Sequence, residues 1–313
     1  MNISNNLPKG KAGGYLALGI TSIVWGTTWV ASKIAVTDMP ALQMASIRQF
    51  FGGICFVLFF LFYKKIGFPT RQQFGWLLMM SVLMFVMANG LSTWSLNYIP
   101  TGLSALIGAL YPLSVVIIEM LFFKNRNLNV ITFIGLLLGI SGIGIVFYES
   151  AFQHHPDGFL FGVLLSVIAM LSWSVGTIFI VRNKLNMNPY NATGWQMLLG
   201  SVMLFIISQG FQPTIPFGEI TTNSWLAITY LVLAGSLLAF IAFIYSMKKL
   251  PAALSSLYAY INPLVAMVTA ALVLGEKLTM NILWGAIVTL VGVFLVNYSI
   301  KKSREKVIAE PEQ

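Results

Sequence analysis

The sequence predicts an all-α integral membrane protein, with ten transmembrane helices arranged as two five-helix repeats of inverted topology. Three observations carry this. Of 313 residues, 58% are hydrophobic and only 9% charged, against roughly 25% charged in a soluble domain. Ten apolar runs reach bilayer-spanning length, which takes about 20 residues. One of those runs is echoed by another at a constant offset of 151: Pro100 meets Pro251, Leu103 meets Leu254, Ser104 meets Ser255, Leu106 meets Leu257, Pro112 meets Pro263 and Leu113 meets Leu264.

The runs are 14–36, 41–63, 74–96, 101–123, 130–148, 158–181, 190–209, 223–246, 252–274 and 280–300. The first exceeds the signal-peptide core of roughly 7–15 residues, so it reads as a retained span. Of the 18 Lys and Arg, 15 fall in alternate connections and the two tails: Lys9 and Lys11, Lys64 to Arg71, Lys124 and Arg126, Arg182 and Lys184, Lys248 and Lys249, and Lys301 to Lys306. Cytoplasmic loops carry the excess of basic residues, so both termini are expected in the cytoplasm of a bacterial inner-membrane protein. The net charge of +9 is then a collar facing anionic headgroups, not a nucleic-acid surface. The partners expected are the lipid bilayer and a small-molecule substrate, with no nucleic acid, in a monomer or homodimer.

Five spans per unit is an odd number, so a second copy enters the membrane upside down. The division expected is a tail at 1–13, a first repeat at 14–148, a second at 158–300 and a tail at 301–313. Gly135, Gly142 and Tyr148 match Gly285, Gly292 and Tyr298 at an offset of 150. Gly135 and Gly139 form a GxxxG pair that lets another helix approach.

The duplicated runs each carry a proline near the middle, preceded by a hydrogen-bonding residue: Tyr111-Pro112 and Asn262-Pro263. Proline removes a backbone donor and frees a carbonyl. Interrupted spans at matching places in two halves point to a transport site. Read as one helix, the fourth span puts Ser104, Gly108, Tyr111, Val115 and Glu119 on one face. The partner face is Ser255, Ala259, Asn262, Ala266 and Ala270. Each reads as a cavity wall or as close helix packing.

Trp25 and Trp173 lie mid-depth in the first span of each half, too deep for an interfacial belt. With Asn89, Tyr111, Tyr258 and Asn262 they form the candidate substrate-binding set. Pro112 and Pro263 are the candidate helix breaks. Glu119 reads as a headgroup-facing acid paired with Lys124 or Arg126, or as a coupling carboxylate. Arg48, seven residues into its span, reads as a structural tie or as a partner for a substrate carboxylate. Lys33 is expected to snorkel past Val36, and Cys55, in mid-span, to be a buried thiol.

The segments Trp25-Gly26, Lys33, Pro40, Arg48, Pro100 and Pro112, then Trp173, Pro189, Gln196, Pro251, Pro263 and Gly275-Glu276-Lys277-Leu278, resemble in order and spacing the EamA-type branch of the drug/metabolite transporter (DMT) superfamily. The chain departs from the branch at Lys124-Asn125-Arg126, where a Gly-Glu pair often closes the fourth span. The resemblance implies a central cavity between the halves, with the fifth and tenth helices as scaffold or dimer contacts. It also implies small metabolites, often amino acids and often exported.

HExxH, GxSxG and P-loop motifs are absent, as are paired intramembrane carboxylates, which argues against an enzyme or an ATP-driven pump. No cofactor or metal is expected; His154 and His155 supply too few ligands. The reading is a secondary transporter working by alternating access, exporting small metabolites. The alternatives are an importer or facilitator of another solute class, such as a nucleoside or cationic drug, and a receptor or scaffold without transport.

Overall fold

Caps and breaks in the sequence divide the chain into helices that run the length of a bilayer. The structure, a computed structural model, describes residues 11–123, 130–151, 157–182, 187–212, 214–250 and 258–309. Outside them lie Pro251, Leu254, Ser255 and Leu257 of the duplicated run, Lys124, Asn125 and Arg126, His154 and His155, Lys184, and the chain's ends.

Helix α1 is Lys11–Asp38, α2 Ala41–Tyr63 and α3 Arg71–Ser95. The fourth run is two helices, α4 Thr101–Gly108 and α5 Tyr111–Phe123. Helix α6 is Val130–Ala151, α7 Phe159–Arg182 and α8 Pro189–Phe211. Helix α9 is Thr222–Lys249, α10 Tyr258–Leu274 and α11 Met280–Ala309. Among the described residues, seven helical segments are long and apolar enough to cross a membrane, with shorter apolar helices at Val130–Val146 and Tyr258–Leu274. The chain is therefore an all-helical, multi-pass membrane protein. Its outer surface is apolar, with Leu16, Phe62, Phe122, Leu160 and Leu272 exposed. Its interior holds Thr21, Ser46, Gln49, Ser104, Ser166 and Ser174, as a protein solvated by lipid requires.

The duplication reaches into local structure that the repeat of apolar residues alone does not reveal. Thr70 caps α3, its hydroxyl accepting from Gln73 N at 3.3 Å while Gln73 Oε1 accepts from Thr70 N at 3.0 Å. Thr221 caps α9, accepting from Ser224 N at 3.2 Å. Each satisfies donors that a helix start leaves open. Both capped helices then widen into π-helix, at Val82–Gly90 in α3 and at Leu231–Leu238 in α9. Single π-turns inside α-helices mark functional sites more often than ordinary turns do.

Helix contacts are reciprocal between the halves. Helix α1 packs on α9 and α10, while α7 packs on α3, α4 and α5; α2 packs on α8, and α6 on α11. Exchanging the halves maps this set of pairings onto itself. The α6–α11 seam is the closest. A methyl group on Gly135 would stand 2.7 Å from the Gly292 carbonyl, and one on Gly142 2.6 Å from the Gly285 carbonyl. The Thr132 and Ser299 hydroxyls bond across the same seam at 2.7 Å. The glycine faces of these helices are thus consumed within one chain.

Two expectations need correction. Cys55 is exposed on the outer face of α2, because Gly52, Gly53 and Phe56 hold the opposite side against α8 and α9. The fourth span, read from the sequence as one helix, is two. Ala109 and Leu110 form a turn, and Pro112 is the second residue of α5. Lacking an N–H, Pro112 cannot bond the Gly108 carbonyl, so the first helix stops there. Pro263, by contrast, sits inside the continuous α10.

Candidate functional site

A cavity with about 1040 Å³ of empty space, open solvent included, lies between the halves. All six candidate binding residues line it: Trp25, Asn89, Tyr111, Trp173, Tyr258 and Asn262. Arg48 and Pro263 join them, while Glu119 and Pro112 do not.

The aromatic wall is built around Trp25. Its ring centroid is 5.3 Å from Tyr258, 5.1 Å from Phe240, 5.0 Å from Phe243 and 6.5 Å from Trp173. Tyr111 stacks on Tyr258 at 6.2 Å with 21° between planes. Tyr111 reaches the wall because the Ala109–Leu110 turn delivers it at the start of α5. Its carbonyl accepts from the hydroxyls of Ser114 at 2.9 Å and Ser174 at 3.2 Å. Edge-to-face and offset aromatic pairs of this kind contribute about 0.5–1.5 kcal/mol each beyond area burial.

The π-turn of α9 fixes the charged end. Gly235 and Ser236 are adjacent in it. The Gly235 carbonyl accepts from Trp25 Nε1 at 3.2 Å, and Ser236 Oγ accepts from Arg48 Nε at 3.1 Å. Bonds of i→i+5 type open the turn and re-aim its carbonyls. The π-turn of α3 has the matching role, presenting Asn89, whose Oδ1 accepts from Gln49 Nε2 at 2.8 Å. Asn262 Oδ1 accepts from Trp29 Nε1 at 3.0 Å, tying α10 to α1. A hydroxyl line runs from Ser95 to Ser104 at 3.0 Å and on to Ser166 at 2.9 Å.

Sequence reasoning missed Trp29, Gln49 and Phe240, and with them the two π-turns. Trp29 stands one helical turn beyond Trp25, and that i, i+4 spacing is a usable signal. Nothing in Val82–Gly90 or Leu231–Leu238 marks a π-turn by composition.

Glu119 lies away from the cavity, its carboxylate 3.7 Å from Arg182 at a partly exposed surface. The break at Ala109–Leu110 turns the end of α5 off the face that Ser104 and Gly108 share. Lys124 and Arg126, the partners expected for it, lie outside the described residues. Lys33 does not snorkel; its ammonium donates to the Leu96 carbonyl at the end of α3. On the same side, the Glu276 carboxylate accepts from the first backbone N–H groups of α4, Thr101 N at 2.8 Å and Gly102 N at 3.2 Å. A carboxylate at a helix N-terminus meets unpaired donors and the positive end of the helix dipole. Both ties lie beside Pro100, and the second joins the two halves there.

Among the described residues, no group of three or more His, Cys, Asp or Glu side chains is placed to hold a metal ion.

Comparison with known proteins agrees with this architecture. The model of the EamA-like transporter family matches twice, at residues 12–148 and 160–298. The chain is 27% identical to the uncharacterized transporter YoaV of Bacillus subtilis, over 93% of this chain and 98% of that one. It is 29% identical to the uncharacterized inner membrane transporter YedA of Escherichia coli K12, over 84% and 83%. A protein of known crystal structure superposes with a TM-score of 0.64 at 16% identity, over 91% of this chain and 98% of that one, a likeness of fold alone.

Proposed function

Since the chain belongs to the EamA-like transporter family, and is a transporter rather than an enzyme, we propose that it is a secondary transporter exporting small metabolites, such as amino acids, by alternating access. Ten spans in two inverted repeats enclose the site, in a bacterial inner membrane with both termini cytoplasmic. The observation that carries the reading is the cavity itself. Trp25, Asn89 and Tyr111 come to it from the first half, and Trp173, Tyr258 and Asn262 from the second. A site shared between two related halves changes its exposure when one half rocks against the other. The reciprocal pairing of α1 with α9 and α10, and of α7 with α3, α4 and α5, supports two near-equivalent packings, one open to each side. The α6–α11 seam is a fixed scaffold beside them.

The aromatic wall stacks the flat or apolar part of a solute. Asn89, Asn262 and the serine hydroxyls replace hydration lost on entry. Comparing intracellular and extracellular metabolite pools in cells with and without the protein identifies candidate solutes and their direction. Purified protein in liposomes must then move them. Binding without flux would support a receptor instead.

A further inference from the structure

Arg48 is 5% exposed, and its side chain lines the cavity. Ser236 Oγ takes one N–H, from Nε, out of the five that a guanidinium offers. Among the described residues, Arg48 has no carboxylate within ion-pair distance and no other side-chain hydrogen bond. Among the described residues, no Asp or Glu lines the cavity. A guanidinium keeps its charge in such a place, and a buried charge without a counter-ion is costly. A purely structural tie to a serine does not need that charge.

The position of the charge is as telling as its isolation. Arg48 and Trp25 are held by neighbouring residues of one π-turn, Ser236 and Gly235. A fork of Nη donors, suited to a planar carboxylate, therefore stands beside the aromatic wall of Trp25, Tyr258, Tyr111 and Trp173. A cation entering this cavity meets repulsion and no acid. A zwitterion finds a partner for its carboxylate but no counter-charge for its ammonium. An organic monoanion satisfies both ends.

We infer that the cavity selects monoanionic organic acids, a carboxylate on a flat or apolar body, with Arg48 as the carboxylate anchor. The inference rests on reading this cavity as the solute site. It departs from the amino acids expected of the site and opposes a cationic drug as its occupant.

The test is equilibrium binding to purified protein of four probes on one carbon skeleton: 3-phenylpropionate, phenylalanine, 3-phenylpropanol and 3-phenylpropylamine. The propionate should bind about ten- to a hundredfold tighter than the amine, the worth of one charge-assisted hydrogen-bonded pair. Phenylalanine should fall between them. Arg48→Gln should level the series, and Arg48→Lys should restore part of the anion preference. A structural tie alone would leave the order of the four unmoved. The inference is overturned if the wild-type protein binds the amine as tightly as the acid, binds none of the four, or if folded Arg48→Gln keeps the anion preference. The wild-type series needs no variant, so a misfolded Arg48→Gln does not spare it. Flux in liposomes separates the two readings. Acid binding without flux sinks transport and leaves the anion site standing. Flux of the alcohol or amine in place of the acid does the reverse.

Discussion

Glu276 offers a test of whether a tie between the halves holds the Pro100 end of the cavity shut. Its carboxylate, just after α10 in the second half, receives two N–H groups from the start of α4 in the first half, at 2.8 and 3.2 Å. Hydrogen bonds to charged groups contribute about 1.5–3 kcal/mol each. The second of these is long and the carboxylate is half-buried, so the pair together is worth about 2 kcal/mol. Removing it by Glu276→Ala should favour opening at the Pro100 end by about thirtyfold, at 1.4 kcal/mol per tenfold. Ser92 lines the cavity, and a thiol there reports the opening. In a Cys55→Ser, Ser92→Cys background, the rate of labelling by a membrane-impermeant maleimide from the side that the Pro100 end faces tracks the open fraction while the closed state dominates. Glu276→Ala should raise that rate by about thirtyfold, and Glu276→Gln, which keeps one acceptor oxygen, by less. An unchanged or slower rate in monodisperse protein would refute the latch.

Other outcomes follow from the same geometry. Asn262→Ala strands the Trp29 indole N–H, so flux should fall while membrane insertion persists, with thermal stability lowered by about 1–3 kcal/mol at most. Trp25→Ala empties the centre of the aromatic wall and should cost about 3–5 kcal/mol in unfolding stability; Trp25→Phe should recover most of the stability but not the flux. Gly292→Val drives a side chain into the α6 backbone and should lower the melting temperature in detergent, whereas Gly144→Ala, with open space around it, should not. Glu119→Gln should leave the pH dependence of transport unchanged, because the carboxylate faces Arg182 outside the cavity; a flattened pH profile would return it to the coupling path.

The apolar runs, their lengths and the basic residues between them were legible in the sequence because lipid imposes one rule on every span: apolar outside, backbone satisfied within. The offset linking Pro100 to Pro251 was legible because duplication leaves residues at fixed spacing. Trp25, Asn89, Tyr111, Trp173, Tyr258 and Asn262 could be nominated together because each is polar or aromatic inside a span, where bulk apolar side chains are the default. Their meeting in one cavity was decided by the crossing of the halves, which no local pattern encodes. The same holds for the broken fourth span. Pro112 signalled a disturbance, but the turn at Ala109–Leu110, which brings Tyr111 in and turns Glu119 away, is set by packing against α7, whose Ser174 donates to the Tyr111 carbonyl. The π-turns at Val82–Gly90 and Leu231–Leu238 went unread because a wider turn differs from an α-turn only in which carbonyl each N–H chooses. The partners of those turns also lie far along the chain, Trp25 and Arg48 for one and Gln49 for the other, and reach them only once the helices have packed.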